Sequence, residues 1–157
     1  MSGASFHRGE SRGDFETPSD LLCAVEGRWG PLEMDLAATA ETAKAPNFIT
    51  LEQDSLLPLT IWPRDAVCWL NPPFGHIEPW AAKCARQCER LESEGRIILL
   101  VPASVGANWY RDHVHGKARV YFLNGRIKFV GAVDWYPRDC LLAVYGEKPG
   151  YEVWSWR

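Results

Sequence analysis

The chain has 157 residues, 46% of them apolar and 24% charged, a balance that fits one globular domain and excludes a disordered or fibrous chain. No apolar run approaches the roughly 20 residues that a membrane-spanning helix needs. The net charge of −3 excludes a uniformly basic protein, but it hides an asymmetry: residues 1–95 carry 15 acidic and eight basic side chains, residues 96–138 two acidic and seven basic. A basic half on an acidic scaffold is one footprint of a polyanion partner; a merely solvated face is the other reading.

Residues 1–15 are polar, without the apolar stretch of a secretory signal, and read as a flexible lead-in to one domain over 16–157. Thr17-Pro18-Ser19-Asp20 predicts a helix running to about Glu26, ended by Gly27 and Gly30. Residues 32–36 form a short strand candidate ending at an acid, residues 37–45 are small and helical in character, and residues 47–51 suit another strand. Ala66-Val67-Cys68-Trp69-Leu70 is a continuous apolar run, as expected of a strand buried on both faces. Apolar residues from Ile77 to Leu91 then recur every three or four positions, the spacing of a one-sided helix. Cys84 and Cys88 sit one turn apart in it; a metal pair is one reading of that spacing, but no second Cys or His pair stands out and core packing is the favoured one. With five cysteines, an odd count, and no repeated spacing, reduced thiols and a cytoplasmic setting are expected. Residues 96–101 predict a strand, 107–115 a helix, and 118–122, 126–130, 141–145 and 151–156 further strands. Strands alternating with helices, then closely spaced strands, predict an α/β fold: a mostly parallel sheet flanked by helices, with an antiparallel edge hairpin.

Asn71-Pro72-Pro73-Phe74, where the buried strand stops, carries the sharpest chemical signal. Ligands of open α/β sheets sit beyond the carboxyl ends of strands. Two prolines fix the backbone and leave carbonyls with no competing amide hydrogens. The Asn71 oxygen and the following carbonyl then suit acceptance of both hydrogens of an amino group, and Phe74 suits stacking on the ring that bears it. A plain turn is the alternative.

These four residues resemble the catalytic signature of amino-methyltransferases. The chain as a whole resembles the phage-type DNA N6-adenine methyltransferase (Dam) family through Glu16-Thr17-Pro18, Met34-Asp35-Leu36-Ala37-Ala38, Glu52-Gln53-Asp54-Ser55-Leu56, Trp69-Leu70-Asn71-Pro72-Pro73-Phe74, Leu99-Leu100-Val101-Pro102-Ala103, Asn108-Trp109 and Asn124-Gly125-Arg126-Ile127-Lys128-Phe129, in that order. The resemblance implies a single Rossmann-like, S-adenosylmethionine-dependent methyltransferase domain. It places Thr17 and Pro18 at the methionine end of the cofactor, Asp35, Ala37 and Ala38 beside it, Asp54 at its adenosine part, and Asn71, Pro72, Pro73 and Phe74 around the base. Thr17 also reads as a helix cap, Asp35 as a strand-end acid and Asp54 as a turn residue. The glycine-rich loop of the wider superfamily is replaced here by Asp35-Leu36-Ala37-Ala38-Thr39-Ala40, and the fourth signature residue is Phe rather than the commoner Tyr.

The implied reaction is direct transfer to the adenine amine, with no metal and no catalytic cysteine. An adenine inside a duplex must flip out to reach such a pocket. Arg111, Lys117, Arg119, Arg126, Lys128 and Arg138 are the candidate phosphate contacts, with Arg126 on an Asn124-Gly125-Arg126 turn; bracing of a hairpin is its other reading. Trp109 and Trp135 suit either the pocket rim or the core. The domain leaves little room for separate target recognition, so loose specificity or a contribution from a second subunit is expected of a monomer or homodimer in a host cytoplasm, without membrane attachment. Methylation of RNA or protein glutamine, and an inactive nucleic-acid-binding relative, are the alternatives. A phosphate-binding nucleotide module is disfavoured, because no Gly-x-x-x-x-Gly-Lys loop is present.

Overall fold

The computed structural model describes residues 15–157, so all of the expected lead-in except Phe15 lies outside the described residues. The chain order is α1 (Ser19–Trp29), β1 (Met34–Asp35), β2 (Asn47–Phe48), β3 (Val67–Leu70), α2 (Glu78–Cys88), β4 (Arg96–Pro102), α3 (Asn108–His113), β5 (Arg119–Asn124), β6 (Cys140–Tyr145) and β7 (Gly150–Ser155). The strands form one seven-stranded sheet in the order β2-β1-β3-β4-β6-β5-β7. All pairings are parallel except those of β6, which runs antiparallel to both β4 and β5. This is the architecture of a Rossmann-like methyltransferase domain. Its antiparallel strand lies inside the sheet, and the outermost pairing, β5 with β7, is parallel.

Apolar runs in β3, β4 and β6 supply both faces by simple alternation. Cys68, Leu70, Ile97, Leu99, Val101, Leu141, Ala143 and Tyr145 face one side and pack with Trp80, Ala81 and Cys84 of α2 and Tyr110 of α3. Trp69, Ile98, Leu100, Leu142 and Val144 face the other, against Leu21 and Val25 of α1. Helices on both faces are what a doubly buried sheet requires. Among the described residues no helix is long and apolar enough to cross a membrane.

Two expected elements do not form. Residues 37–45 make turns instead of a helix. The Asp35 carboxylate takes the amide hydrogens of Ala37 (3.1 Å) and Lys44 (3.0 Å), and Thr39 and Thr42 bond each other, so local side chains outcompete the helical ladder. Residues 126–129 are not a strand, because β6 pairs directly with β5 and leaves them no ladder; Val130 makes only a single bridge, to Glu16.

A buried cation organises the segment between β2 and β3. Lys83, on α2 and 3% exposed, donates to the carbonyls of Ser55 (2.6 Å), Leu57 (3.0 Å) and Thr60 (2.7 Å). Its ammonium lies 4.7 Å from the centre of the Trp62 ring, whose indole N–H donates to Ser55. Three carbonyl acceptors and an aromatic face replace the water this charge loses.

Three buried thiols are held protonated for a related reason. Burial pushes Cys68 and Cys140 up to about 12 and Cys84 higher still. All three therefore stay protonated at neutral pH, and none serves as a nucleophile. Cys23 is exposed. Alkylation of the folded protein with iodoacetamide is expected to modify Cys23 first and to spare Cys68, Cys84 and Cys140 until denaturant is added, as read by peptide mass spectrometry. Replacing Lys83 with Ala strands three carbonyls, and the expected cost is about 3 kcal/mol in chemical denaturation.

Candidate active site

Sheet direction decides which residues meet. Because β1, β3, β4, β5 and β7 run the same way and β6 runs against them, one edge of the sheet collects Asp35, Asn71, Pro102, Asn124, the start of β6 at Cys140 and the end of β7. Asn71 sits at the middle of this edge, one residue beyond Leu70 of β3.

The Asn71 side chain is held from its nitrogen. Nδ2 donates to the Phe15 carbonyl (2.7 Å) and to Thr17 Oγ1 (3.0 Å), which fixes which end of the amide is which. Oδ1 is buried and has no hydrogen-bond partner among the described residues. Leaving a buried acceptor unmet costs about 1–3 kcal/mol, so the fold maintains an oxygen that asks for a donor. Pro72 is buried behind it and Pro73 is exposed.

Four aromatic rings gather beside that oxygen's residue. Phe74 lies 5.4 Å from Phe15, 5.9 Å from Phe129 and 5.5 Å from Tyr136, centre to centre, in tilted or edge-on contact. Phe15, Phe129 and Tyr136 also touch one another. Burial pushes the Tyr136 phenol up to about 12, so it stays uncharged. The cluster is an apolar aromatic wall with a hydrogen-bond acceptor at its side. Phe15, assigned from sequence to the lead-in, therefore belongs to the site. Phe129 ends a stretch that carries the family resemblance without a role of its own, and Tyr136 carries no signal in the sequence, since their place beside Phe74 depends on a loop returning to β3 across the sheet.

Thr17 is 2% exposed and bonds Asn71; it is not a helix cap, for α1 starts after Pro18 with no side-chain cap. Asp35 is buried, its two oxygens already accepting from Ala37 and Lys44. Ala37 and Ala38 are buried, and their amides are committed to Asp35 and to the Ile49 carbonyl. Any contact they make with a ligand is thus through small side chains rather than free N–H groups. Asp54 lies on an exposed turn with φ of 48°, where its Oδ1 accepts from the Leu56 amide. Aspartate tolerates this left-handed conformation better than most residues.

The candidate cations divide. Arg126, Lys128 and Arg138 are exposed on or next to the Asn71 edge. Arg126 and Arg138, with Pro102, Ala103, Ser104, Pro137 and Asp139, line an open groove of about 310 Å³. Arg126 also lies 3.7 Å from Asp139. Gly125 makes the expected turn with φ of 119°, and its carbonyl accepts from the Trp156 indole at 3.0 Å. Arg119 and Lys117 lie at the opposite edge, Arg119 paired with Glu152 and Lys117 bonded to the Asp112 carbonyl. Arg111, on α3, is paired with Asp112. Trp109 packs against the core face of α2 and α3, whereas Trp135 is exposed at the Asn71 edge.

The sequence is similar to two phage DNA N-6-adenine-methyltransferases. The chain is 26% identical over 139 residues to a DNA N-6-adenine-methyltransferase of Escherichia phage T1, a match covering 88% of this chain and 56% of that protein. It is 28% identical over 99 residues to a DNA N-6-adenine-methyltransferase of Haemophilus phage HP1, covering 62% of this chain and 54% of that protein. It thus spans about half the length of the curated relatives it matches. The profile of one family covers residues 5–139, and with it most of the described sheet and all of the Asn71 site: the chain belongs to the DNA N-6-adenine-methyltransferase (Dam) family.

Proposed function

We propose that the chain methylates the N6 amine of adenine in DNA, using S-adenosylmethionine, within a phage or prophage setting in the host cytoplasm. The observation that carries this reading is the buried Oδ1 of Asn71, which has no hydrogen-bond partner among the described residues, beside the four-ring aromatic wall. A hydrogen-bond donor attached to a flat ring matches both features, and an exocyclic adenine amine is such a group.

When bound, S-adenosylmethionine supplies a methyl group carried on a positively charged sulfur. Thr17, Pro18, Asp35, Ala37, Ala38 and Asp54 are the residues we assign to holding it. The Asp35 carboxylate keeps lone pairs beyond the two it uses, and the Thr17 hydroxyl hydrogen is available for donation while its oxygen accepts from Asn71. Asn71 Oδ1 accepts one hydrogen of the adenine amine and the Pro72 carbonyl accepts the other. Both pull electron density onto the nitrogen and draw its lone pair out of conjugation with the ring. Phe74 supplies stacking surface, worth about 1–3 kcal/mol per base, which offsets part of the cost of flipping. Phe15, Phe129 and Tyr136 exclude water from the amine. After transfer the nitrogen sheds one proton to solvent; Asn71, being neutral, positions that hydrogen without becoming a base.

Methyl transfer from labelled S-adenosylmethionine to unmethylated DNA, digested to nucleosides, tests the reading. The expected product is labelled N6-methyldeoxyadenosine. Asn71→Ala is expected to lower the rate by about 100-fold or more, the scale of losing one positioned hydrogen bond in a closed site. Label appearing only in RNA or protein, or on no base, overturns it. The division of the cations yields a second expectation. Arg138→Ala should weaken DNA binding on every sequence and lower the slope of log K against log salt by about 1. Arg119→Ala, at the far edge and tied to Glu152, should leave that slope unchanged in the same titration.

A further inference from the structure

The loop between β5 and β6 has a rigid stem and an apolar tip that the reaction itself does not use. Its base is closed by the Tyr136 amide donating to the Ile127 carbonyl at 2.8 Å, and by the Val130 amide donating to Glu16 at 2.9 Å. Ile127, Phe129 and Tyr136 are buried, and the last two are rings of the aromatic wall. Gly131, with φ of 81°, turns the chain outward. Beyond it Val133 is 88% exposed and Trp135 is 52% exposed. Val133 and Trp135 thus present apolar surface to solvent at the tip, on either side of Asp134.

The surroundings identify the occupant. Arg126, Lys128 and Arg138 are exposed around the loop, and the Arg157 guanidinium lies 5.0 Å from the Trp135 ring and 4.1 Å from the Trp156 ring. The acids nearby are Asp134 at the tip and Asp139, the latter beside Arg126. Arg157 also reaches Asp20 at 3.4 Å. Cations ringing an apolar projection fit a partner with phosphates outside and stacked rings inside, which is duplex DNA. Apolar side chains inserted between base steps are a known means of unstacking a duplex. The stem starts and ends on the wall that receives the base, so a tip that enters the helix does so next to the extruded nucleotide.

We propose that Val133 enters the base stack at the gap left by the flipped adenine, with Trp135 packed against the adjoining step, so that the substrate is double-stranded DNA and residues 130–135 determine that specificity. This rests on the DNA-methylation reading above.

The test first maps the methylated adenines by sequencing treated DNA, then makes two oligonucleotide duplexes. One has the target adenine paired with thymine; the other has it opposite an abasic site, where no partner resists extrusion. The double variant V133S/W135A changes only exposed tip residues, and its melting temperature and cofactor affinity are expected to match the wild type. Its kcat/KM should fall at least tenfold on the paired duplex and stay within about twofold of wild type on the abasic duplex, as expected of a group that acts only on the opening of a base pair. Equal loss on both duplexes, or no loss on either, overturns the wedge while leaving DNA methylation standing. Wild type that methylates no adenine in any DNA removes the underlying reading and the wedge with it.

Discussion

The amide of Asn71 is the tie on which the site depends. By donating from one nitrogen to Phe15 and Thr17, it fastens the segment before α1 across the carboxyl end of β3. The same short segment is gripped twice more: Lys44 pairs with Glu16 at 2.6 Å, and the Val130 amide donates to the Glu16 carbonyl. Three loops that follow different strands are thereby gathered over one strand end. The geometry also determines what is left over. With its nitrogen saturated from within, Asn71 can offer only its oxygen, and the direction of the hydrogen bond to any ligand is settled before the ligand arrives.

The internal antiparallel strand is the second constraint. Because β6 returns between β4 and β5, the connection from the end of β5 to the start of β6 must remain at the Asn71 edge. That long connection carries Arg126, Lys128, Phe129, Tyr136 and Arg138. Two of these become aromatic wall and three become exposed charge. A helical crossover at this point would have carried the chain to the other edge and left Phe74 without its neighbours. Gly125 opens the connection, and a side chain there would press on the Trp156 indole at 3.2 Å.

Electrostatics in this molecule divide by environment rather than by residue type. Arg28 and Arg119 both reach Glu152, yet these pairs are partly exposed and screened by solvent. Arg28 also packs over Tyr121 at 4.4 Å, beside Trp29 and Trp154 of β7, so its stem and guanidinium help to seat that strand. Lys83 is the opposite case, a buried charge held among the described residues by three carbonyls and the face of Trp62 rather than by a carboxylate. It acts as a post around which residues 55–62 fold. Lys83 gave little warning of this in the sequence, where a lysine amid the apolar positions of α2 reads as a solvated flank.

Local pattern sufficed for much of the molecule. The continuous apolar runs of β3, β4 and β6 announce doubly buried strands because alternation to two core faces needs no polar position. The spacing from Ile77 to Leu91 announces α2 because one helical face must meet the sheet. Asn71-Pro72-Pro73-Phe74 points to a candidate site because two prolines after a buried strand leave carbonyls without amides. Short-range side-chain competition was less legible: Asp35 and the Thr39–Thr42 pair turn residues 37–45 away from a helix that their composition favours. What only the tertiary structure decided is which distant residues share an edge. The role of Phe15, the aromatic wall and the separation of Arg138 from Arg119 all follow from strand order and direction. Those are set by long-range pairing and the burial of two opposite faces, for which no local stretch of sequence carries the information.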